Sequence, residues 1–117
     1  MANGTNVLIQ YNTGNDAEND CINGTMTGTS SVVYNTLTNC GLYAGYPNQM
    51  IGGFVGSVPT LAWNYIANCG YASVGSSSGN SILHNQIYNS CLVGNDCGSI
   101  YGYCVSNVNV YIIHWME

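Results

Sequence analysis

Three of the chain's five acids stand at alternate positions in Asp16-Ala17-Glu18-Asn19-Asp20, with Asn12 and Asn15 just before them. Oxygen ligands so spaced are of the kind that hold Ca²⁺, although the Gly and distal Glu of an EF-hand loop are out of register. The plainer expectation for such a run is a solvated turn that keeps the chain soluble. Asp96 and Glu117 are the other two acids, and His84 and His114 the two imidazoles. Histidines with no acid beside them read more readily as core-edge or surface residues than as metal ligands or bases. No motif accompanies Cys97 or Cys104 as a nucleophile. Hydrolysis needs converging carboxylates, and a basic lyase residue cannot come from a chain without Lys or Arg. The sequence therefore predicts no enzyme, and calcium as the one cofactor to consider.

Six cysteines, Cys21, Cys40, Cys69, Cys91, Cys97 and Cys104, in 117 residues predict a disulfide framework in an oxidising compartment. Six cysteines allow fifteen pairings that sequence alone does not sort, and buried reduced thiols are the alternative. Asn3-Gly4-Thr5 and Asn23-Gly24-Thr25 fit the N-glycosylation pattern at Asn3 and Asn23, in keeping with a secreted chain. No basic segment with an apolar run opens the sequence, so a signal for export is expected to lie outside it.

Composition excludes several partners. Only 4% of residues are charged and Lys and Arg are absent, where an ordinary domain has about a quarter charged residues. Nothing can neutralise phosphates, so nucleic acid and anionic lipid heads are not expected partners. No apolar run of membrane-spanning length occurs. With 46% hydrophobic residues the chain can bury one modest core, and residues 1–117 are expected to form a single domain.

The elements that must position these groups emerge from a repeat. An apolar-x-x-Asn-x-apolar-x-Asn-Cys/Ser skeleton occurs as Val32 to Cys40, Leu61 to Cys69 and Ile82 to Ser90, with a degenerate fourth copy from Ile100 to Asn107. Residues 1–30 read as an N-terminal strand, Asn6 to Tyr11, followed by a long polar loop over 14–30, and residues 31–117 as the repeat region. Leu42 to Thr60 reads as a turn-rich stretch with apolar anchors such as Tyr43, Tyr46, Met50, Ile51 and Phe54. Val108 to Trp115 is the most strand-like run. Gly, Asn, Ser and β-branched residues dominate and no helical periodicity appears, so the fold class is all-β. Asn35 to Asn64 is 29 positions and Asn64 to Asn85 is 21, a spacing that suits a β-solenoid of stacked turns. The alternative is a small disulfide-stapled β-barrel or β-sandwich. In a solenoid the recurring Asn is expected at a corner, tolerating left-handed geometry and bonding to the Asn above and below.

Asn80, Ile82, Asn85, Ile87 and Asn89 resemble the repeat of pectate-lyase-like right-handed parallel β-helices. Trp63-Asn64, Asn68-Cys69-Gly70 and Gly79-x-Ser81-Ile82 also resemble the central segment of cerato-platanin-type secreted proteins, with Ala72 at the place of that family's second Cys. The first resemblance implies a parallel β-helix and the second a double-ψ β-barrel.

Stacked turns lie about 4.8 Å apart, within reach of a disulfide, so Cys40 and Cys69 at one repeat position are natural partners. Cys91 and Cys97 flank a short loop they would close. Cys21 and Cys104 would then join consecutive subunits, or form an ordinary bridge within one chain. Ten Tyr and two Trp against one Phe favour rings with a polar edge, as at interfaces and sugar-binding surfaces. Tyr34, Trp63 and His84 share one repeat position and would form a flat aromatic ladder, or pack against neighbouring turns.

These features lead to the expectation of an extracellular or cell-surface structural protein. Its partners would be copies of itself, self-assembling into a protease-resistant fibre, sheath or surface layer. The alternative is a small secreted module binding carbohydrate or ice.

Overall fold

A computed structural model describes residues 1–42, 52–76, 80–93, 97–102 and 109–112. Strands account for the regular structure and no helix occurs among these residues. The chain runs through β1 (Gly4–Thr5), β2 (Leu8–Gln10), β3 (Thr13–Asn15), β4 (Ile22–Thr27), β5 (Ser31–Val33), β6 (Thr36–Cys40) and β7 (Phe54–Ser57). It continues through β8 (Thr60–Ala62), β9 (Tyr65–Cys69), β10 (Val74–Ser76), β11 (Ser81–Tyr88), β12 (Ile100–Gly102) and β13 (Asn109–Ile112). The all-β class expected from composition is met.

Every strand pairing is parallel, and each joins one turn of the chain to the next. One sheet has the order β1-β4-β7-β10-β12. The other runs β2-β5-β8-β11-β9-β6-β3, with β13 on β11. This second sheet is two faces joined by one long strand. Ser81–Leu83 of β11 pairs with β8, and Gln86–Tyr88 pairs with β9. The chain thus passes three faces in order and returns, a solenoid-like winding compatible with the spacing of the repeat.

Register makes the core. On the second face Ile9 pairs with Val32 and Val32 with Leu61, which pairs with Ile82. On the third, Gly14, Leu37, Ile66 and Ile87 form one inward column. On the first, Ile22, Phe54, Val74 and Ile100 do the same. Val32, Leu37, Phe54, Leu61, Ile66, Val74 and Ile82 are all buried. Each such side chain contributes about 1.5–3 kcal/mol on burial, which turns alternation along short strands into a fold. No single coil could enclose these columns, so stability comes from stacking.

Residues 14–30, expected as loop, contain β4. Its outward residues are Asn and Thr, and only Met26 gives it a large buried side chain between polar neighbours. Parallel pairing to β1 and β7 holds it in place. Gly24 and Gly56 are register partners there, and a Cβ on Gly56, whose φ is 136°, would run into the Gly24 carbonyl oxygen. The stretch from Leu42 to Thr60 likewise contains β7. Tyr43, Tyr46, Pro47, Met50 and Ile51 lie outside the described residues. The degenerate fourth repeat is out of step: Ile100 pairs with Val74 on the first face, whereas Ser81–Leu83 of the repeat pairs with Asn109–Tyr111. Residues 103–108 and 113–117 lie outside the described residues.

Candidate functional site

The second and third faces meet at a two-residue corner. Its first residue is Tyr11, Tyr34, Trp63 or His84, each with a φ of 54–58°. Left-handed backbone costs a residue with a Cβ about 1–2 kcal/mol, and bulky side chains rarely adopt it. Four successive coils nevertheless do. The twist sends these rings outward in one column, where Tyr11 and Tyr34 stack at 5.3 Å between centroids, Tyr34 and Trp63 at 6.4 Å, and Trp63 and His84 at 4.2 Å. The expected ladder of Tyr34, Trp63 and His84 is present and extends by one ring to Tyr11.

The second corner residue is Asn12, Asn35, Asn64 or Asn85, and it turns inward. Asn35 donates from its backbone N and its Nδ2 to Asn64 Oδ1, at 2.9 and 3.0 Å. Asn64 donates the same pair to Asn85 Oδ1, both at 2.9 Å. Asn12 repeats the arrangement on Asn35, at 3.0 and 3.1 Å. The second Nδ2 hydrogens reach main-chain carbonyls, from Asn64 to Val32 and from Asn85 to Leu61. Asn35, Asn64 and Asn85 are almost fully buried, so these bonds satisfy amides that have lost water. The corner and the stacked amides were expected, but the left-handed residue is the aromatic before the Asn.

A second left-handed column bounds the far side of the third face: Asp16, Asn39, Asn68 and Asn89, with φ of 49–57°. Asn89 Nδ2 donates to Asn68 Oδ1 at 3.0 Å, Asn68 to Asn39 at 3.1 Å, and Asn39 to Asn15 at 2.9 Å. Asn and Asp suit this backbone because their short polar side chains bond locally.

Between the aromatic and amide margins, the outward positions of the third face are Thr13 and Asn15, Thr36 and Thr38, Tyr65 and Ala67, and Gln86 and Tyr88. Tyr65 and Tyr88 lie 5.7 Å apart with rings tilted by 38°. The face therefore offers aromatic rings, hydroxyls and amides. Asp16, at its margin, is the one charged residue on it among the described residues. Tyr11, Tyr34, Trp63 and Tyr65 are 73%, 47%, 49% and 39% exposed, and they are the exposed aromatic residues of the described chain. Such gathering of apolar surface marks interaction sites.

No family model, curated protein or solved structure matches this chain. The face must be read from its own chemistry.

The other sequence-derived candidates fall elsewhere. Asp16 Oδ2 accepts from Asn15 Nδ2, and Glu18 is exposed. Both Asp20 oxygens are taken up, Oδ2 by Asn23 Nδ2 at 2.7 Å and Oδ1 by the Gly52 N–H at 3.1 Å. The described residues bring no three His, Cys, Asp or Glu side chains together as a metal site. Asn3 is exposed and its Oδ1 accepts from the Thr25 N–H, while the Asn23 amide is the one bound to Asp20. Asp96, His114 and Glu117 lie outside the described residues.

The cysteine pairing differs from expectation. Cys40 and Cys69 are register partners on adjacent coils, yet Cys40 is bonded to Cys21, at a Cα separation of 5.8 Å. Cys21 is therefore bonded within the chain, which removes it as a link between subunits. It lies just before β4, where the returning chain passes the end of β6, so the bridge closes a corner instead of crossing a face. Cys91 and Cys97 are joined as expected. Cys69 remains a buried thiol. Burial pushes its pKa up, against smaller opposing effects of hydrogen bonding to Ser73, Gly53 and Cys40. Cys104 lies outside the described residues.

The sequence reading missed Tyr11 and Asn12. Ile9-Gln10-Tyr11-Asn12 carries the apolar-x-x-Asn start of the repeat, but Gly14 and Asp16 replace the following apolar residue and Asn.

Proposed function

We propose that the protein is an extracellular binding module whose third face holds a neutral polysaccharide. One observation carries this reading: the exposed Tyr11, Tyr34, Trp63 and Tyr65 gather on that face, interleaved with hydroxyls and amides. Sugars offer apolar C–H faces and many hydroxyls, and tyrosine, tryptophan and amide groups answer both. The coil spacing of about 4.8 Å approximates the length of one pyranose unit, so a glycan along the stack meets a new row of side chains at about each sugar. Ladder rings face one another, and a sugar meets their edges and polar tips while resting on the tilted Tyr65 and Tyr88. Anionic glycans are disfavoured by a net charge of −5 and the absence of Lys and Arg. Ice is disfavoured because the four rows differ in side chain and present no regular lattice. The likeness of the repeat to pectate-lyase-like proteins supports a setting among polysaccharides, and the disulfides support an oxidising, extracellular one.

The test is retention of the protein on insoluble neutral polysaccharides and on a panel of soluble neutral and acidic glycans. Binding to a neutral glycan that Trp63→Ala and Tyr65→Ala each weaken at least tenfold is expected. Absence of binding across the panel, or binding by both variants as tight as that of the parent, overturns the proposal.

A second reading, self-assembly into a fibre or layer, is favoured by the end of the stack formed by β1, β2 and β3. An open cavity of about 410 Å³ there is lined by Leu8, Ile9, Asn12, Thr13, Gly14, Cys21, Ile22 and Leu37. Each of these strands is paired on one side, and a further coil would continue all three faces. In this reading the coil comes from a second copy. Filaments by negative-stain electron microscopy of the native protein would support it, and dispersed particles at high concentration would end it.

A further inference from the structure

We propose that the stacked corner is a relay for one-electron oxidation, carrying a radical from Trp63 through Tyr34 to Tyr11, where two copies of the chain join by a tyrosine–tyrosine carbon bond. The relay follows from distance and order. Trp63 and Tyr34 lie 6.4 Å apart with planes 13° from parallel, and Tyr34 and Tyr11 lie 5.3 Å apart at 10°. Stacked rings at such separations place their π systems close enough for an electron to pass without a redox centre between them. At neutral pH a tyrosyl radical is the more stable of the two radical types, so the step from Trp63 to Tyr34 runs downhill, and the exchange between like radicals at Tyr34 and Tyr11 is drawn forward by coupling at the exposed ring. On the other side of Trp63 stands His84, 4.2 Å away, whose imidazole is not readily oxidised. The radical therefore has one direction to travel along the ladder.

Tyr11 suits the end point. It is the last ring of the column and 73% exposed, against 47% for Tyr34 and 49% for Trp63. A ring so open can meet the same ring of another molecule. Without Lys the chain forms no lysine isopeptide or lysine–aldehyde links. Four of the described cysteines are in disulfides within the chain, and Cys69 is buried.

The electrons balance as follows. A one-electron oxidant of the peroxidase class takes an electron from Trp63, whose indole N–H proton goes to water. Tyr34 reduces this radical, which takes a proton back, and the Tyr34 phenol proton goes to water. Tyr11 then reduces Tyr34 in the same way. Two Tyr11 radicals couple at the ring carbons ortho to the C–O carbons, and the hydrogen on each newly bonded carbon moves to the oxygen as the rings regain aromaticity. Two electrons and two protons leave for each bond formed.

The experiment uses the full chain with Trp115→Phe, so that Trp63 is the one indole. Pulse radiolysis in azide, whose radical oxidises indole selectively, starts the relay, and the indolyl and tyrosyl absorptions are followed together. Expected is a first-order conversion of indolyl to tyrosyl radical at a rate independent of protein concentration. Tyr34→Phe keeps the stack but not the phenol and is expected to slow it at least tenfold. Sustained oxidation should yield a covalent dimer whose chymotryptic map places dityrosine at position 11, and which Tyr11→Phe abolishes. Circular dichroism confirms that each variant is folded. Indolyl decay without tyrosyl growth, an unchanged rate in Tyr34→Phe, or undiminished dimer in Tyr11→Phe overturns the proposal.

Discussion

Asn64 Oδ1 accepts both the main-chain N–H and the side-chain amide of Asn35, at 2.9 and 3.0 Å, from within a core that water does not reach. One side-chain oxygen thereby completes the corner of the coil beneath it. Asn64→Ala leaves the buried Asn35 main-chain N–H without its acceptor and removes the Nδ2 bonds to Asn85 Oδ1 and the Val32 carbonyl, while Asn35 Nδ2 keeps the Ile9 and Val33 carbonyls and Asn85 Oδ1 keeps the main-chain N–H of residue 64. With that one buried group orphaned at about 1–3 kcal/mol and the lost Nδ2 bonds at about 1 kcal/mol each, the loss is expected to be about 2–5 kcal/mol by urea denaturation. Asn64→Asp keeps the acceptors but its side chain cannot donate to Asn85 or Val32, and it buries a charge. Its carboxyl pKa should be raised on folding, so the variant is expected to lose stability as pH rises above the unfolded-chain value of about 4 until the raised folded pKa is passed, and to recover that part in acid.

At Trp63 the backbone and the side chain oppose each other. Trp63→Ala removes the stack on His84 but keeps a Cβ at a φ of 58°. Trp63→Gly removes the same stack and the strain. Glycine ordinarily destabilises a strand relative to alanine, but here Trp63→Gly is expected to be the more stable of the two by about 1 kcal/mol. Thermal melts of the pair decide it, and the usual order would show that the corner is not held left-handed in solution.

The Cys21–Cys40 bridge spans a sequence separation of 19. Loop-closure entropy for a loop of that size is about 3 kcal/mol, so the double variant Cys21→Ser with Cys40→Ser should lose roughly that much stability. Non-reducing peptide mapping should find Cys21 joined to Cys40 and not Cys69. A Cys40–Cys69 bridge would keep the register of β6 and β9 but contradict the Cys21–Cys40 pairing.

Cys69 gives a pH dependence of definite sign. Burial raises its pKa above the ordinary 9.0, so the unfolded chain loses this proton at lower pH than the folded one. Below about pH 9 the thiol is protonated in both states and costs nothing. As pH rises beyond that, the unfolded state releases the proton first and stability falls until the folded pKa is passed. Tyrosines also titrate in this range, so the measurement is the difference between the parent and Cys69→Ala in urea midpoints at pH 7 and pH 10. The parent is expected to lose more on going to pH 10.

The repeat made the site readable where its copies were intact. Asn35, Asn64 and Asn85, preceded by Tyr34, Trp63 and His84, were placed in two columns by spacing alone, because parallel stacking with fixed register converts equal sequence position into contact. The first coil escaped notice because Gly14 fills the core with backbone and Asp16 substitutes for Asn, leaving no apolar period. β4 escaped for a related reason, since hydrogen bonding to its neighbours holds a strand whose side chains are mostly polar. Cys40 and Cys69 show the limit of column logic. The pattern states which residues are stacked, but Cys21 reaches Cys40 from a corner segment outside the repeat. The left-handed backbone at Tyr34, Trp63 and His84 ran against the preferences of those residues, so propensity pointed to the neighbouring Asn.

In the first four coils the path from the second face to the third is the same, two residues at positions 11–12, 34–35, 63–64 and 84–85, while the return from the third face to the first varies from 70–73 to 41–53. Length is thus free to change on one side of the molecule and fixed on another. A peptide inserted after the exposed Val93 would hang from the return path and leave the third face in register, whereas Tyr71, Ala72 and Ser73 are buried and would not admit one. A single residue inserted between Trp63 and Asn64 would turn Asn64 outward and Tyr65 inward, and every later coil would lose its partner. The molecule is therefore a scaffold with one permissive seam, suited to carrying a foreign segment beside an unaltered ladder.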